Sequence, residues 1–294
     1  GTVSSSSPAN NKVTTRTFQQ KKRAGEKITM LTAYDYPTSR AIEQAGVDSI
    51  LVGDSLGMVV LGYETTLPVT MADMLHHCRA VSRGASHPLL IGDMPFMSYQ
   101  ASTKEAVRNA GRFLQESGMD AVKLEGGRER ESTVRRIIGA GIPVLGHLGM
   151  TPQSVHQFGG FKAQGKQADS AQKMLEDALL LEDAGCFGIV LESVPARLAV
   201  FISRKLSIPT IGIGAGGGCD GQVLVTHDLL GLFDQFTPRF VKQYANLHEN
   251  IHQALKAYRE EVLKGTFPAE EHTFSISDPE WGLFLDRVER NQNA

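Results

Sequence analysis

The stretch EQAGVDSILVGD, residues 43–54, closes a helical pattern in Ala-Gly and turns at once into an apolar, β-branched run. The same step recurs at QESGMDAVKLEGG (115–127), IGAGIPVLGH (138–147) and EDAGCFGIVLE (182–192). A glycine just past a helix end takes the left-handed conformation other residues avoid, so Gly46, Gly118, Gly141 and Gly185 each mark a helix stop and a strand start. Adding ITMLTA (28–33), PLLIGD (88–93), IPTIGIG (208–214) and a weaker QVLV (222–225) gives eight strand candidates in order. Alternation of β and α over about 240 residues predicts a parallel sheet, and eight units predict closure into a (βα)8 barrel. A doubly wound open sheet is the alternative.

The intervening helices carry ordinary core stripes. In STKEAVRNAGRFLQESG (102–118), Ser102 and Glu105 have capping-box spacing, and Ala106, Ala110, Phe113 and Leu114 share a face. In SAQKMLEDALLLEDAG (170–185), Met174, Leu175, Ala178, Leu179 and Leu181 do the same. His76 and His77, beside Met71 and Met74, are assigned to packing as well.

The buried run ILVG ends in Asp54 and Ser55, which is an odd place for a carboxylate unless chemistry needs it there. Ligands of parallel α/β folds bind beyond the carboxyl ends of the strands. The other strands end likewise: Asp93 after LLIG, Lys123 and Glu125 in VKLEGG, His147 after VLG, Glu192 after IVL. Side chains alternate along a strand, so Lys123 and Glu125 share one face while Val122 and Leu124 take the other; His147 points with Leu145, and Glu192 with Val190. Gathering Asp54, Asp93, Glu125 and Glu192 against one Lys and one His is costly without a divalent cation. Oxygen donors without thiolate rank Mg²⁺ above Mn²⁺, Co²⁺ and Zn²⁺.

The formal charge of -2 and pI near 6.5 provide no basic field for nucleic acid or anionic lipid. No apolar run is long enough for a membrane span, and no secretory signal is present, so a cytoplasmic protein is expected. Three widely spaced cysteines, Cys78, Cys186 and Cys219, exclude a disulfide framework and a thiolate zinc site, and Cys186 is expected in the core. Residues 1–14 read as a disordered tail, 15–265 as the barrel and 266–294 as an extension, with a short helix from Thr15 to Gly25. The first 25 residues are basic, Ser-rich and without acids, so the alternative is a mitochondrial transit remnant and a matrix location.

Gly212, Gly214 and Gly217 match G-x-G-x-x-G, but they follow the seventh strand and lead into an extended segment, so a dinucleotide fingerprint is not inferred. A flexible ligand-facing loop fits better. The long, Gly-rich segment from Gly146 to Lys166 is read as a lid over the barrel mouth.

Taken together, LTAYDYPTSR, LVGDSLGMVVLGYETTLPVTMADMLHH, GDMPFMSY, VKLEGG, GHLGMTPQSV, VLESVP, IGIGAG, DGQVLV and PAEEHTF resemble the ketopantoate hydroxymethyltransferase family, from about Thr14 to Phe274. The resemblance implies a (βα)8 TIM barrel of the phosphoenolpyruvate/pyruvate type. It implies hydroxymethyl transfer from 5,10-methylenetetrahydrofolate to 3-methyl-2-oxobutanoate in pantothenate synthesis, giving 2-dehydropantoate and tetrahydrofolate, with Mg²⁺ required. By motif, Asp54 and Asp93 hold the metal and contribute to the oxo-acid site, Glu125 completes the shell through water, and Ser55 and Lys123 bind the oxo acid. Glu192 is the general base and His147 supports the substrate. An α-oxo acid chelates Mg²⁺, which stabilises the enolate formed when a base removes the C3 proton. The resemblance also implies a homo-oligomer, a decamer built from dimers.

Two stretches depart from the family pattern. GAGGGCDG differs from the usual sequence after GIGAG, and the tail SISDPEWGLFLDRVERNQNA extends past the common ending, as either an oligomer contact anchored by Trp281, Leu283 and Phe284 or a mobile segment. A lyase or mutase on the same barrel is the competing enzyme reading, disfavoured because no K-K-C-G-H loop occurs. A non-catalytic oxo-acid-binding barrel is the third.

Overall fold

A computed structural model describes residues 11–160 and 162–292. Eight strands close into a parallel barrel in sequence order: β1 (Ile28–Thr32), β2 (Ser49–Val52), β3 (Leu89–Asp93), β4 (Ala121–Lys123), β5 (Val144–Gly149), β6 (Gly188–Glu192), β7 (Thr210–Ile213) and β8 (Gly221–Leu224). Closure is made by β1 against β8, with Met30 opposite Val223. The open-sheet alternative is thereby excluded.

Strand alternation sorts the core into two layers. Met30, Leu51, Ile91, Ala121, Leu145, Val190, Ile211 and Val223 fill the barrel interior. Ile50, Val52, Leu90, Val122, Val144, Ile189 and Leu191 face the surrounding helices. All four expected junction glycines are left-handed, at φ 77, 72, 88 and 104° for Gly46, Gly118, Gly141 and Gly185. Ala106, Ala110 and Phe113 of the helix Thr103–Ser117 are fully buried, and Ser102 Oγ caps it by accepting from the Glu105 N–H at 3.1 Å. The return bond expected of a capping box is not among the hydrogen bonds found there. On the helix Ala168–Asp183, Met174, Ala178 and Leu181 are buried as expected, but Leu179 is 42% exposed because it lies at the edge of that stripe.

The basic N-terminal segment has a structural use. The helix Thr15–Ala24 ends at left-handed Gly25, and its fully buried Phe18 joins the barrel interior, edge-on to Phe187 with ring centroids 5.7 Å apart. Lys12, Lys21 and Lys22 pair with Asp120, Asp48 and Asp220 at 2.7, 2.8 and 3.0 Å, each aspartate lying just before a strand. These lysines hold the N-terminal segment against the strand-entry end of the barrel, which gives their charge a structural use. Chain engagement begins before Thr15, because the Val13 N–H donates to the His87 carbonyl. Residues 1–10 of the expected tail lie outside the described residues.

The chain divides into one compact unit ending at Ala245 and a second from Asn246, whereas the sequence reading put the end of the barrel at residue 265. The helix Leu247–Lys264 thus falls in the second unit, with the helix Asp278–Gln292. Helical periodicity alone cannot tell a barrel helix from one that follows the barrel. No helix among the described residues is long and apolar enough to cross a membrane.

Candidate active site

The inward register of each strand carries its last polar residue into the barrel mouth. Asp93 continues the inward series of β3, Lys123 and Glu125 that of β4, His147 that of β5, and Glu192 that of β6. Asp54 reaches the same place differently. It lies in a turn beyond β2, where alternation no longer holds, and its backbone N–H donates to Asp93 Oδ2 at 3.0 Å. All of these side chains, with Ser55, line one cavity of about 350 Å³. Its far wall is apolar, made by Met58, Val59, Phe233 and Phe236.

Asp54, Asp93, Lys123, Glu125 and His147 are each at most 4% exposed, so their charges act in a poorly solvated space. Lys123 Nζ lies 3.0 Å from Asp93 Oδ1 and 3.1 Å from His147 Nδ1. Burial disfavours the ammonium, but Asp93, Glu125 and Asp54 together outweigh it and raise the Lys123 pKa. A charged lysine can only donate, so His147 Nδ1 accepts and the ring proton sits on Nε2. That nitrogen is 2.9 Å from Glu192 Oε2, although the N–H is not aimed well enough for a directed hydrogen bond. Burial and the Lys123 charge lower the His147 pKa, keeping the ring neutral. Gly149 makes this juxtaposition achievable. It has φ 90°, and a Cβ there would collide with the Glu192 carbonyl oxygen.

Asp54 and Glu125 have the opposite perturbation. Burial, then the Asp93 charge, pushes Asp54 well above the usual carboxyl range; burial, then Asp54, does the same to Glu125. Glu125 Oε1 accepts no hydrogen bond, and Asp93 Oδ1 meets the Lys123 ammonium at 3.0 Å without a directed hydrogen bond. Buried carboxylates with free lone pairs, and no thiolate, are the donor chemistry of a hard cation. No group of three His, Cys, Asp or Glu side chains among the described residues forms a ready-made metal cluster.

The sequence reading missed Gln153 and Tyr99. Gln153, 6% exposed in the short 3-10 turn Pro152–Ser154, donates Nε2–H to Asp54 Oδ2 and to the Met94 carbonyl, both at 2.9 Å. Its backbone N–H donates to Glu125 Oε2 at 3.0 Å. Its Oε1 accepts from the Tyr99 hydroxyl at 2.5 Å and from Gln100 Nε2 at 3.2 Å, while the Tyr99 hydroxyl accepts the Glu125 N–H at 3.1 Å. One residue of the expected lid therefore fixes two carboxylates that follow separate strands, Asp54 after β2 and Glu125 after β4. The lid itself is not a plain loop: it contains that turn and the short helix Val155–Phe158, and Met150, Pro152, Lys162 and Ala163 line the cavity. The Gly-rich stretch after β7 leads into β8, not into a helix, in agreement with the rejected dinucleotide reading.

Comparison with known proteins places this site in a family. The profile described as ketopantoate hydroxymethyltransferase matches residues 12–270. A 3-methyl-2-oxobutanoate hydroxymethyltransferase of Syntrophus aciditrophicus is 64% identical over 263 residues, covering 90% of this chain and 97% of the relative. The enzyme of the same name from Syntrophomonas wolfei is 59% identical over 277 residues, covering 94% and 99%. Among solved structures, 2,3-dimethylmalate lyase, a PEP mutase/isocitrate lyase superfamily member, aligns with TM-score 0.57 at 14% identity over 95% of this chain and 98% of its own. Phosphonopyruvate hydrolase in complex with oxalate and Mg²⁺ aligns with TM-score 0.56 at 13% identity over 95% and 96%. The distant structures establish the barrel type alone. With the profile and close relatives spanning nearly all of it, the chain is an enzyme that belongs to the ketopantoate hydroxymethyltransferase family.

Proposed function

We propose that the protein transfers a hydroxymethyl group from 5,10-methylenetetrahydrofolate to 3-methyl-2-oxobutanoate, forming 2-dehydropantoate and tetrahydrofolate in pantothenate synthesis. The observation that carries this reading is the convergence of Asp54, Ser55, Asp93, Lys123, Glu125, His147 and Glu192 on one cavity, in a chain of this family. Lys123 and Ser55 bind the oxo acid, and the apolar wall receives its branched end. Glu192, half-buried and flanked by neutral His147, removes the C3 proton. The neutral His147 ring lies against that carboxylate, with Nε2 2.9 Å from Oε2, and limits its movement. Negative charge then develops on the keto oxygen, and the Lys123 ammonium lining the cavity stabilises it. Water adds to the methylene bridge and both of its C–N bonds break, releasing tetrahydrofolate and a one-carbon unit at the oxidation level of formaldehyde; the activated carbon attacks that unit, and the proton held by Glu192 goes to the new alkoxide, whose oxygen came from the water.

Mg²⁺ is the cation this donor set favours, held by Asp54 and Asp93 with Glu125 acting through water, and when bound it supplies Lewis-acid polarisation of the oxo acid. Water bridging accords with the lack of a three-ligand cluster. Three buried, free cysteines and bacterial relatives support a cytoplasmic setting. The homo-oligomer, a decamer, rests on the resemblance.

Deuterium exchange tests the chemistry directly. With Mg²⁺ in D₂O and no folate, the protein is expected to exchange the C3 proton of 3-methyl-2-oxobutanoate, and Asp54→Ala to lose that exchange. A wild-type protein that binds the oxo acid without exchanging it would sink the proposal.

A further inference from the structure

The cavity of about 350 Å³ lies at the small end of the roughly 300–1,000 Å³ spanned by pockets for a single drug-sized ligand, which suits a small oxo acid but leaves no room for a reduced folate beside it. A second, wider cleft of about 1000 Å³ adjoins it, and Ala163, Ser193 and Phe240 line both. Ser193 marks this boundary. It follows Glu192 in the left-handed region, φ 50°, and its carbonyl accepts the Gln164 N–H at 3.1 Å, tying the lid to the end of β6.

The cleft differs from the catalytic cavity in charge. Among the described residues, the charged ones lining it are Lys166, from the lid, and Arg239, from the segment after β8, with no carboxylate. Neither cation pairs with a carboxylate among the described residues, and both are exposed. Lys162, on the catalytic side, adds a third cation at the passage. In a protein of net charge -2, a carboxylate-free cleft with two unpaired cations concentrates anions. Phe240, 39% exposed, presents an aromatic ring where the two spaces meet.

We propose that this cleft binds the γ-linked glutamate tail of the one-carbon donor, with Lys166 and Arg239 pairing its carboxylates and Phe240 packing on the ring system at the boundary. The proposal rests on the hydroxymethyl-transfer reading and adds a tail-length preference to it: donors with several glutamates bind more tightly than the monoglutamate.

Calorimetric binding of tetrahydrofolate mono- and triglutamate to the full chain tests it. Wild type is expected to bind the triglutamate about tenfold more tightly, with the advantage shrinking as salt is raised. Arg239→Glu and Lys166→Glu should each reduce the triglutamate affinity about tenfold while changing the monoglutamate affinity less; Arg239→Gln and Lys166→Gln serve if reversal perturbs folding. Phe240→Ala should weaken both ligands alike. Equal affinity for the two tail lengths in wild type, or charge variants with unaltered tail preference, would overturn the assignment. Deuterium exchange into the oxo acid, which uses no folate, separates the two readings. Exchange without tail preference refutes the cleft assignment alone, whereas absent exchange refutes the underlying reaction and the cleft assignment with it.

Discussion

Replacing Gln153 by Leu keeps the bulk and removes the amide that bridges Asp54, the Met94 carbonyl and the Tyr99 hydroxyl. A hydrogen bond to a charged group contributes about 1.5–3 kcal/mol and one between neutral groups about 1 kcal/mol. Asp54 is 4% and Gln153 6% exposed, so water does not simply take the place of the amide. The metal-free protein should therefore lose about 3 kcal/mol in urea unfolding, about 1 kcal/mol from each of the three contacts, since the Asp54 carboxyl is held well above its usual range. Tyr99→Phe should cost less, and the double variant should show a coupling of about 1 kcal/mol, because one hydrogen bond is removed twice. The Gln153 backbone N–H still holds Glu125 in the variant, so the disorder is confined to Asp54. Turnover and Mg²⁺ affinity should each fall about 10- to 100-fold, the usual penalty for losing a group that orients a metal-binding carboxylate. Isothermal titration with Mg²⁺ provides the readout independent of turnover. If stability changes by less than about 0.5 kcal/mol and Mg²⁺ affinity is unmoved, the network positions nothing and the reasoning fails.

Three further outcomes are expected. Glu192→Gln should bind the oxo acid normally but slow C3 deuterium exchange about 10²- to 10⁴-fold, a loss that would be missing if another group were the base. Burial raises the Asp228 carboxyl to about 6; because the folded state then holds a proton the unfolded chain has lost, this contribution to stability is present below about pH 4 and lost as pH rises through about 6, so Asp228→Asn should flatten that part of a pH–urea midpoint curve. Lys22→Met removes the ion pair to Asp220 and hydrogen bonds of 2.8 Å to the Ser203 and Ile208 carbonyls. It should lower stability by about 1–2 kcal/mol at the end of the barrel opposite the site, leaving turnover as it was, as thermal melts and initial rates will show.

What could be read in advance was whatever the period-two geometry of a strand controls. Once β4 is a strand with Ala121 inward, Lys123 must point inward and Val122 outward, and the same count places Asp93, His147 and Glu192. Barrel closure followed from counting units, since eight alternating segments leave no free edge to a short parallel sheet. The junction glycines were readable because their conformation is set locally, by the residue before and the residue after.

Contacts that depend on three-dimensional return of the chain left no such trace. Gln153 and Asp54 are separated by 99 positions. A glutamine in a Gly-rich loop looks the same whether it faces solvent or spans two buried carboxylates, and the sequence around Lys12, Lys21 and Lys22 does not show the aspartates they pair with beneath the strands. The same reasoning applies to the helix Leu247–Lys264: amphipathic periodicity continues through residue 264, and only packing decides which compact unit a helix joins. A polar loop residue becomes informative when the groups it must neutralise are already located. Here they were located, because the sequence gathered acidic side chains at one rim without enough positive charge to balance them. A donor from a loop reaching across the mouth is the inexpensive local answer to that imbalance, and Gln153, two hydrogen bonds from its side chain and one from its backbone, supplies part of it.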